Sequence, residues 1–109
     1  MCCLLLIHDI TSLSFLACRH TTAGTEYRGH IATTASGKVC QRWDTTTPHP
    51  HPYVNADFPE DGNSITSANN YCRNPKKAQA APWCFVNDAA ASPTWEYCNV
   101  PFCGKYILL

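Results

Sequence analysis

The chain has 109 residues, a length typical of one small domain. Eight basic residues balance eight acidic ones, which argues against a strong, sequence-independent attraction to nucleic acid or to an anionic membrane. Leu, Ile, Val and Phe together number only 20, too few for a conventional core, whereas eight cysteines are present. This composition is typical of a small extracellular domain in which disulfides support a thin apolar core.

The apolar segment 1–17 raises the question of a secretory signal. Ala17 is small enough for a cleavage edge, but no Lys or Arg precedes the apolar run, and His8 and Asp9 interrupt it. The run is also too short to span a bilayer. Two interpretations stay open for this segment: a poor signal peptide, or the edge of a fragment of a larger protein. Residues 104–109 are assigned as a C-terminal tail.

The span 18–103 contains no Leu and no window with the apolar periodicity of an amphipathic helix. All eight prolines lie within it and divide it into short pieces. Aromatic and β-branched residues around cysteines predict short strands at 39–43, 82–86 and 94–98. We expect turns and irregular loops elsewhere.

Catalytic and metal sites find little support in the residue pattern. No nucleophile lies in a G-x-S-x-G turn, and the acids at 57, 60 and 61 are expected in a solvated loop. Structural zinc requires tight cysteine pairs, which the chain does not complete around His49 and His51. These histidines alternate with prolines, and we expect them to make local hydrogen bonds in a stiff loop, the alternative being a weak metal-binding or pH-sensing role. The sequence thus predicts no catalytic residue, metal or cofactor.

A series of motifs built around the cysteines has a specific order. The chain reads YRG at 27–29, CQRW at 40–43, TPHPH at 47–51, NYCRNP at 70–75, PWCF at 82–85 and WEYC at 95–98. This series resembles the kringle family over residues 18–103. The resemblance implies the kringle fold, a small disulfide-rich domain made mostly of loops and turns with a few short antiparallel strands. It also implies the disulfides Cys18–Cys103, Cys40–Cys84 and Cys72–Cys98, and gives no place to Cys2 and Cys3.

The resemblance further implies a ligand-binding trough. Lysine-binding kringles gather the methylenes of a lysine on aromatic side chains, pair its ammonium with two aspartates and pair its carboxylate with a basic group. Trp83, Phe85 and Trp95 match the aromatic positions. Two interpretations stay open: these rings cover the disulfides, or they form an exposed apolar patch that binds a protein. The solvent exposure of Trp83 and Trp95 distinguishes between these two interpretations.

The charged ends of this trough differ from the pattern of the lysine binders. Lys76 and Lys77 stand in place of acids, Thr94 stands where an arginine is expected, and Tyr53 stands where the second basic group would be. An ammonium ligand would meet ammonium groups, a change worth about 1–3 kcal/mol at partly exposed positions. We therefore expect weak or absent lysine binding. A protein ligand with acidic or aromatic side chains fits this edge better, and Arg73 is expected to add to it.

The resemblance implies a non-catalytic extracellular module for protein recognition, part of a larger secreted or receptor protein. The alternative is an accessory domain of a plasminogen-related serine protease whose catalytic domain is missing from this chain. A purely structural spacer is a third interpretation. All three place the protein outside the cell, without a nucleic-acid partner and without a transmembrane segment in this chain.

Overall fold

The computed structural model describes residues 17–103. Two strands, β1 (Trp83–Phe85) and β2 (Trp95–Tyr97), form one antiparallel sheet. Single 3-10 turns occupy Asn55–Asp57, Pro59–Asp61 and Pro75–Lys77, and the remaining described residues are loops, bends and isolated bridges. This is the small, loop-rich architecture that the sequence predicts. Within the described part of the chain, no helix is long and apolar enough to cross a membrane.

The boundaries predicted for the chain ends fall mostly outside this range. Of the N-terminal segment 1–17, only Ala17 is among the described residues, and the tail 104–109 lies beyond them. The predictions made for these two segments therefore stay predictions.

Two of the three predicted strands are present. The predictions at 82–86 and 94–98 correspond to β1 and β2, each shorter by one residue at either end. The third, at 39–43, is wrong. There the Cys40 amide donates to the Ala32 carbonyl at 3.0 Å, whereas the Gln41 amide donates to the Phe85 carbonyl at 2.8 Å. Because successive residues pair with different parts of the chain, no continuous ladder forms.

The core consists of aromatic rings and cystines. Trp43 lies at its centre, in edge-to-face contact with Trp83 at 5.2 Å between ring centroids and against Phe58 at 5.3 Å. The disulfides Cys40–Cys84 and Cys72–Cys98 lie side by side, with two of their sulfurs 3.9 Å apart. Cys18–Cys103 joins the two ends of the described chain. These are the pairs that the kringle resemblance implies. In the loop-entropy model each stabilises the folded protein by roughly 3–5 kcal/mol, because it lowers the entropy of the unfolded chain.

A buried arginine connects this core to the 3-10 turns. The Arg73 side chain is 1% exposed, and its Nε and Nη2 atoms each donate to the Asp61 carboxylate at 2.9 Å. Its Nη1 atom donates to the Gly29 and Cys72 carbonyls, both at 2.8 Å. The expectation that Arg73 adds to an exposed basic edge is wrong, because its side chain is buried and all three guanidinium nitrogens already donate hydrogen bonds.

The acids of the turns at 55–61 are also covered. The side chains of Asp57, Glu60 and Asp61 are only 8%, 9% and 8% exposed, so the predicted solvated loop is wrong. Arg73 holds Asp61, and the Val54 amide donates to Asp57 at 2.9 Å. The Val54 partner is local, but no local charge pattern indicates the Arg73–Asp61 pair, whose members are twelve residues apart along the chain.

Candidate ligand-binding face

Alternation along the two strands places aromatic residues on one side of the sheet. Trp83 lies opposite Tyr97, and Phe85 lies opposite Trp95, so the four rings share one side. Tyr53 packs onto the same side from the preceding loop, with its ring 6.1 Å from that of Trp83. We call the four partly exposed rings, those of Tyr53, Phe85, Trp95 and Tyr97, the aromatic face.

Trp83 lies beneath this face. It is 2% exposed, and its indole N–H donates to the buried Asn74 Oδ1 at 3.1 Å. Phe85 and Trp95 contact its ring edge to face at 5.0 and 5.7 Å. Trp83 is therefore a core residue that supports the surface, whereas Trp95 keeps part of its ring in solvent. Of the two tryptophans, Trp95 alone contributes to the exposed surface.

Tyr53 forms one wall of the aromatic face. Its ring is held edge to face against Trp43 at 5.9 Å as well as against Trp83. Burial and then the nearby charge of Asp57 raise the pKa of its phenol. Tyr53 is thus neutral at physiological pH and presents an uncharged wall.

The two loop histidines have structural partners. His51 stacks on Phe85 with ring centroids 5.5 Å apart, and its Nδ1 accepts from the Tyr53 amide at 3.1 Å. Its Nε2 lies 2.9 Å from the Thr45 carbonyl. His49 is buried, with Nε2 3.0 Å from the Asp88 carbonyl. The His51 contacts are the local hydrogen bonds that the sequence predicts, whereas the His49 ring bonds to Asp88, 39 residues away along the chain.

The opposite side of the sheet is cystine and polar. Cys84 and Glu96 alternate with the aromatic residues and so point away from the aromatic face. Hydrogen bonds from Ser36, Thr34 and Lys38 lower the pKa of the Glu96 carboxyl to about 2. Glu96 is therefore charged, and it accepts hydrogen bonds from Ser36 and Lys38 on the side of the hairpin opposite the aromatic face.

Lys76 and Lys77 lie around a separate depression. Both sit in the 3-10 turn Pro75–Lys77 with left-handed φ angles of 56° and 52°. They line an open cleft of about 690 Å³, which we call the charged cleft, and whose lining consists of Thr25, Glu26, Asp57, Pro59, Glu60, Asn74, Lys76 and Lys77. The predicted trough residues thus lie in different places: Tyr53, Phe85 and Trp95 at the aromatic face, Trp83 beneath it, and the two lysines at the charged cleft.

The clustered cysteine sulfurs do not form a metal centre. The sulfurs of Cys40, Cys72, Cys84 and Cys98 lie within 4.8 Å of one another, but they are joined in two disulfides. Cys18 and Cys103, near His20, are likewise bonded to each other. A disulfide sulfur lacks the thiolate charge that binds zinc.

Sequence reasoning missed two residues of this region. Tyr97 belongs to the aromatic face, and the period-two alternation from Trp95 would have found it. Asp57 belongs to the charged cleft, but nothing in its neighbourhood along the chain indicated its burial.

Comparisons with known proteins agree with this architecture. The family model described as Kringle domain matches residues 18–103. A relative from Homo sapiens, apolipoprotein(a)-like protein 2, is 41% identical over 94 residues. That alignment covers 86% of this chain and 65% of the relative, so the chain spans somewhat less than two thirds of the length of this curated relative.

Proposed function

The chain belongs to the kringle family, and from this premise we propose that it acts outside the cell as a protein-recognition module that binds its ligand through the aromatic face. A kringle is a non-catalytic module, so its function lies in contacts rather than chemistry. The observation that supports the proposal is a set of aromatic rings that pack against Trp83 or against each other and still expose part of their surface to solvent. These are the rings of Tyr53, Phe85, Trp95 and Tyr97.

The fixed geometry of the rings supports binding. Trp95 contacts Trp83 at 5.7 Å and Tyr97 at 5.0 Å, both edge to face, so its orientation is set before a ligand arrives. Aromatic residues are enriched among the side chains that dominate protein interfaces, because they bury large areas at a small cost in side-chain entropy. The aromatic face is therefore an anchor for an apolar or aromatic group of a protein ligand.

The exposed charge nearby has a positive sign. The Lys76 side chain is 69% exposed, whereas Asp57 and Glu60, two of the three acids that line its cleft, are largely covered. The third acid, Glu26, is partly exposed and accepts hydrogen bonds from the His20 amide and the Thr21 hydroxyl. Lys77 is exposed as well. Since charges act over about 8 Å at physiological ionic strength, a ligand that reaches this edge with acidic side chains is favoured. The same arrangement supports weak or absent lysine binding.

The disulfides support a location outside the cell. Three disulfides join all six cysteines of the described residues, and such bonds form and persist in oxidising compartments. Kringle modules occur in secreted proteins, in keeping with this chemistry.

Capture from extracellular fluid tests the proposal. The immobilised protein, its Trp95→Ala and Tyr97→Ala variants, and the control Val39→Ala are compared by quantitative mass spectrometry of the bound proteins. Val39 is 57% exposed and lies outside the aromatic face, so its variant controls for general apolar stickiness. We expect at least one protein whose capture falls about tenfold with both face variants and is unchanged with the control. Capture that none of the variants alters would contradict a binding role for this face, provided that the proton NMR spectra show all variants folded.

A further inference from the structure

The turn Pro75–Lys77 presents two lysines in succession on an uncovered stretch of chain. Every residue of the run 76–81 is exposed or half-buried, between the buried Pro75 and the buried Pro82. Loops that bury little apolar surface open locally at low free energy, and they are common sites of proteolytic nicking. A trypsin-like protease holds a lysine or arginine side chain in its specificity pocket and cleaves the peptide bond that follows. The turn combines this residue type with a backbone that such a protease can reach.

Backbone strain favours local opening of the turn. Lys76 and Lys77 have φ angles of 56° and 52°, in the left-handed region that residues other than glycine rarely adopt. Two main-chain hydrogen bonds close the turn, from the Lys77 amide to the Asn74 carbonyl at 3.0 Å and from the Ala78 amide to the Pro75 carbonyl at 3.1 Å. The Asn74 side chain then exchanges two hydrogen bonds with the backbone of residue 79, so the base of the loop stays fixed. Opening of the turn therefore does not require the rest of the domain to open.

Two other exposed cations lie in better protected positions. Lys38 pairs with Glu96 at 3.1 Å, and the carbonyl of its following peptide bond accepts from the Thr34 amide at 2.8 Å. Arg42 holds a neighbouring carboxylate with two hydrogen bonds of 2.9 and 3.0 Å, and the residue after it, Trp43, is buried. In both cases the side chain has a partner, and the peptide bond that a protease would cleave is bound or covered.

The remaining arginines of residues 17–103 are also poor substrates. Arg28 donates its Nε to the Glu60 carbonyl at 2.7 Å and precedes the buried Gly29. Arg19 is half-buried, and its carbonyl accepts a main-chain hydrogen bond of 2.9 Å. Arg73 is almost fully buried. None of the three presents both a free side chain and an accessible bond.

Lys77 differs from these residues on both counts. Within residues 17–103 its side chain makes no ion pair or hydrogen bond, and its carbonyl accepts none. The residue that follows, Ala78, is exposed. Lys76 beside it is 69% exposed and has only a 3.8 Å contact with Asp57. The Lys77–Ala78 bond is therefore the most accessible to a trypsin-like protease in the described part of the chain.

We propose that this turn is a processing site, cleaved after Lys77 by an extracellular trypsin-like serine protease, and that the product is a two-chain domain. Hydrolysis consumes one water and leaves a carboxylate on Lys77 and a new amino group on Ala78. Each of the three disulfides joins a cysteine before the cut to a cysteine after it, so the two pieces stay covalently linked. The proposal concerns a modification of the chain and does not depend on the ligand proposed for the aromatic face.

Limited digestion of the oxidised full chain with trypsin tests the proposal. The products are separated before and after reduction of the disulfides and identified by mass spectrometry. We expect the first cut within residues 17–103 to fall after Lys77, with a single species before reduction and the pieces 1–77 and 78–109 after it. A cut after Lys105, which lies outside the described residues, removes only residues 106–109 and is recognised by its mass.

Three variants identify the residue that the protease recognises. Lys76→Gln/Lys77→Gln should slow the first cut by about tenfold or more, because no cation remains in the turn. Lys38→Gln/Arg42→Gln removes the same charge elsewhere and should stay within about twofold of the wild-type rate. Lys76→Gln/Lys77→Arg restores a cleavable residue and should recover the wild-type rate within about threefold. A misfolded variant would be cut faster, so resistance cannot come from misfolding.

A first cut at any other basic residue of the described chain, or equal rates for the wild type and Lys76→Gln/Lys77→Gln, would overturn the proposed site. Proton NMR of the nicked, unreduced protein tests the two-chain form. We expect the dispersed ring signals of Trp95 and Tyr97 to persist, because the disulfides and the core are untouched. Collapse of these signals on cleavage would show that the turn is needed for the fold and would overturn the two-chain form.

Discussion

Two cation–carboxylate pairs connect the segment 73–77 to the two 3-10 turns within residues 55–61, and they differ in burial, distance and geometry. Arg73 and Asp61 are almost fully buried and joined by two hydrogen bonds of 2.9 Å. Lys76 and Asp57 meet at 3.8 Å, with the lysine side chain mostly in solvent. The planar guanidinium matches a carboxylate in two-point geometry, whereas an ammonium on a flexible stem does not. The first pair stabilises the fold, whereas the second is a looser contact in which the ammonium remains mostly in solvent.

The two pairs also differ in what surrounds them. Arg73 lies 5.4 Å from the centres of the Tyr27 and Tyr71 rings and donates to two carbonyls in the interior. Lys76 lies at the rim of an open cleft. Removing one partner of a buried ion pair strongly lowers the free energy of unfolding, because the remaining charge is not solvated by water. Exposed ion pairs contribute little to stability.

The largest expected effect follows from breaking the buried pair. Arg73→Met should lower the free energy of unfolding by about 3–5 kcal/mol, because it leaves Asp61 covered and without its cation. Urea denaturation with the disulfides intact measures this loss. In the double variant Arg73→Met/Asp61→Asn the stranded charge is gone, so part of the stability should return. A single variant within about 0.5 kcal/mol of wild type would mean that the pair does not hold the fold.

The exposed pair should have a much smaller effect on stability. Lys76→Gln is expected to change the free energy of unfolding by less than about 0.5 kcal/mol, since its side chain is 69% exposed and no hydrogen bond closes to Asp57. The same urea experiment measures it, with Lys77→Gln as the matched control. If Lys76→Gln lowered the free energy of unfolding as much as Arg73→Met, the two pairs would not differ in their contribution to stability.

The sequence predicted the parts of this molecule that depend on local pattern. Aromatic and β-branched residues around cysteines located β1 and β2, and alternation explains why Phe85 and Trp95 share a side. The disulfide pairs came from the family resemblance, because spacing alone leaves many pairings open.

The parts that the sequence did not predict depend on contacts distant along the chain. One contact of Asp57 comes from the Pro75–Lys77 turn, about twenty residues away, where the Lys76 ammonium lies 3.8 Å from its carboxylate. The strand expected at 39–43 failed because its amides pair with Ala32 and Phe85 in turn. Trp83 is covered partly by Tyr53, thirty residues earlier in the chain. None of these partners leaves a local signature.

This kringle has an aromatic face, but Lys76 and Lys77 stand where the lysine-binding members of the family carry acids, so we expect weak or absent lysine binding. Passage of the unaltered protein over a lysine-substituted resin tests it most directly. We predict that the protein elutes with the unbound fraction, because the Lys76 ammonium lies 3.8 Å from Asp57 and Lys77 adds a second positive charge to the same cleft. Retention on the resin and release by a free lysine analogue would contradict the account.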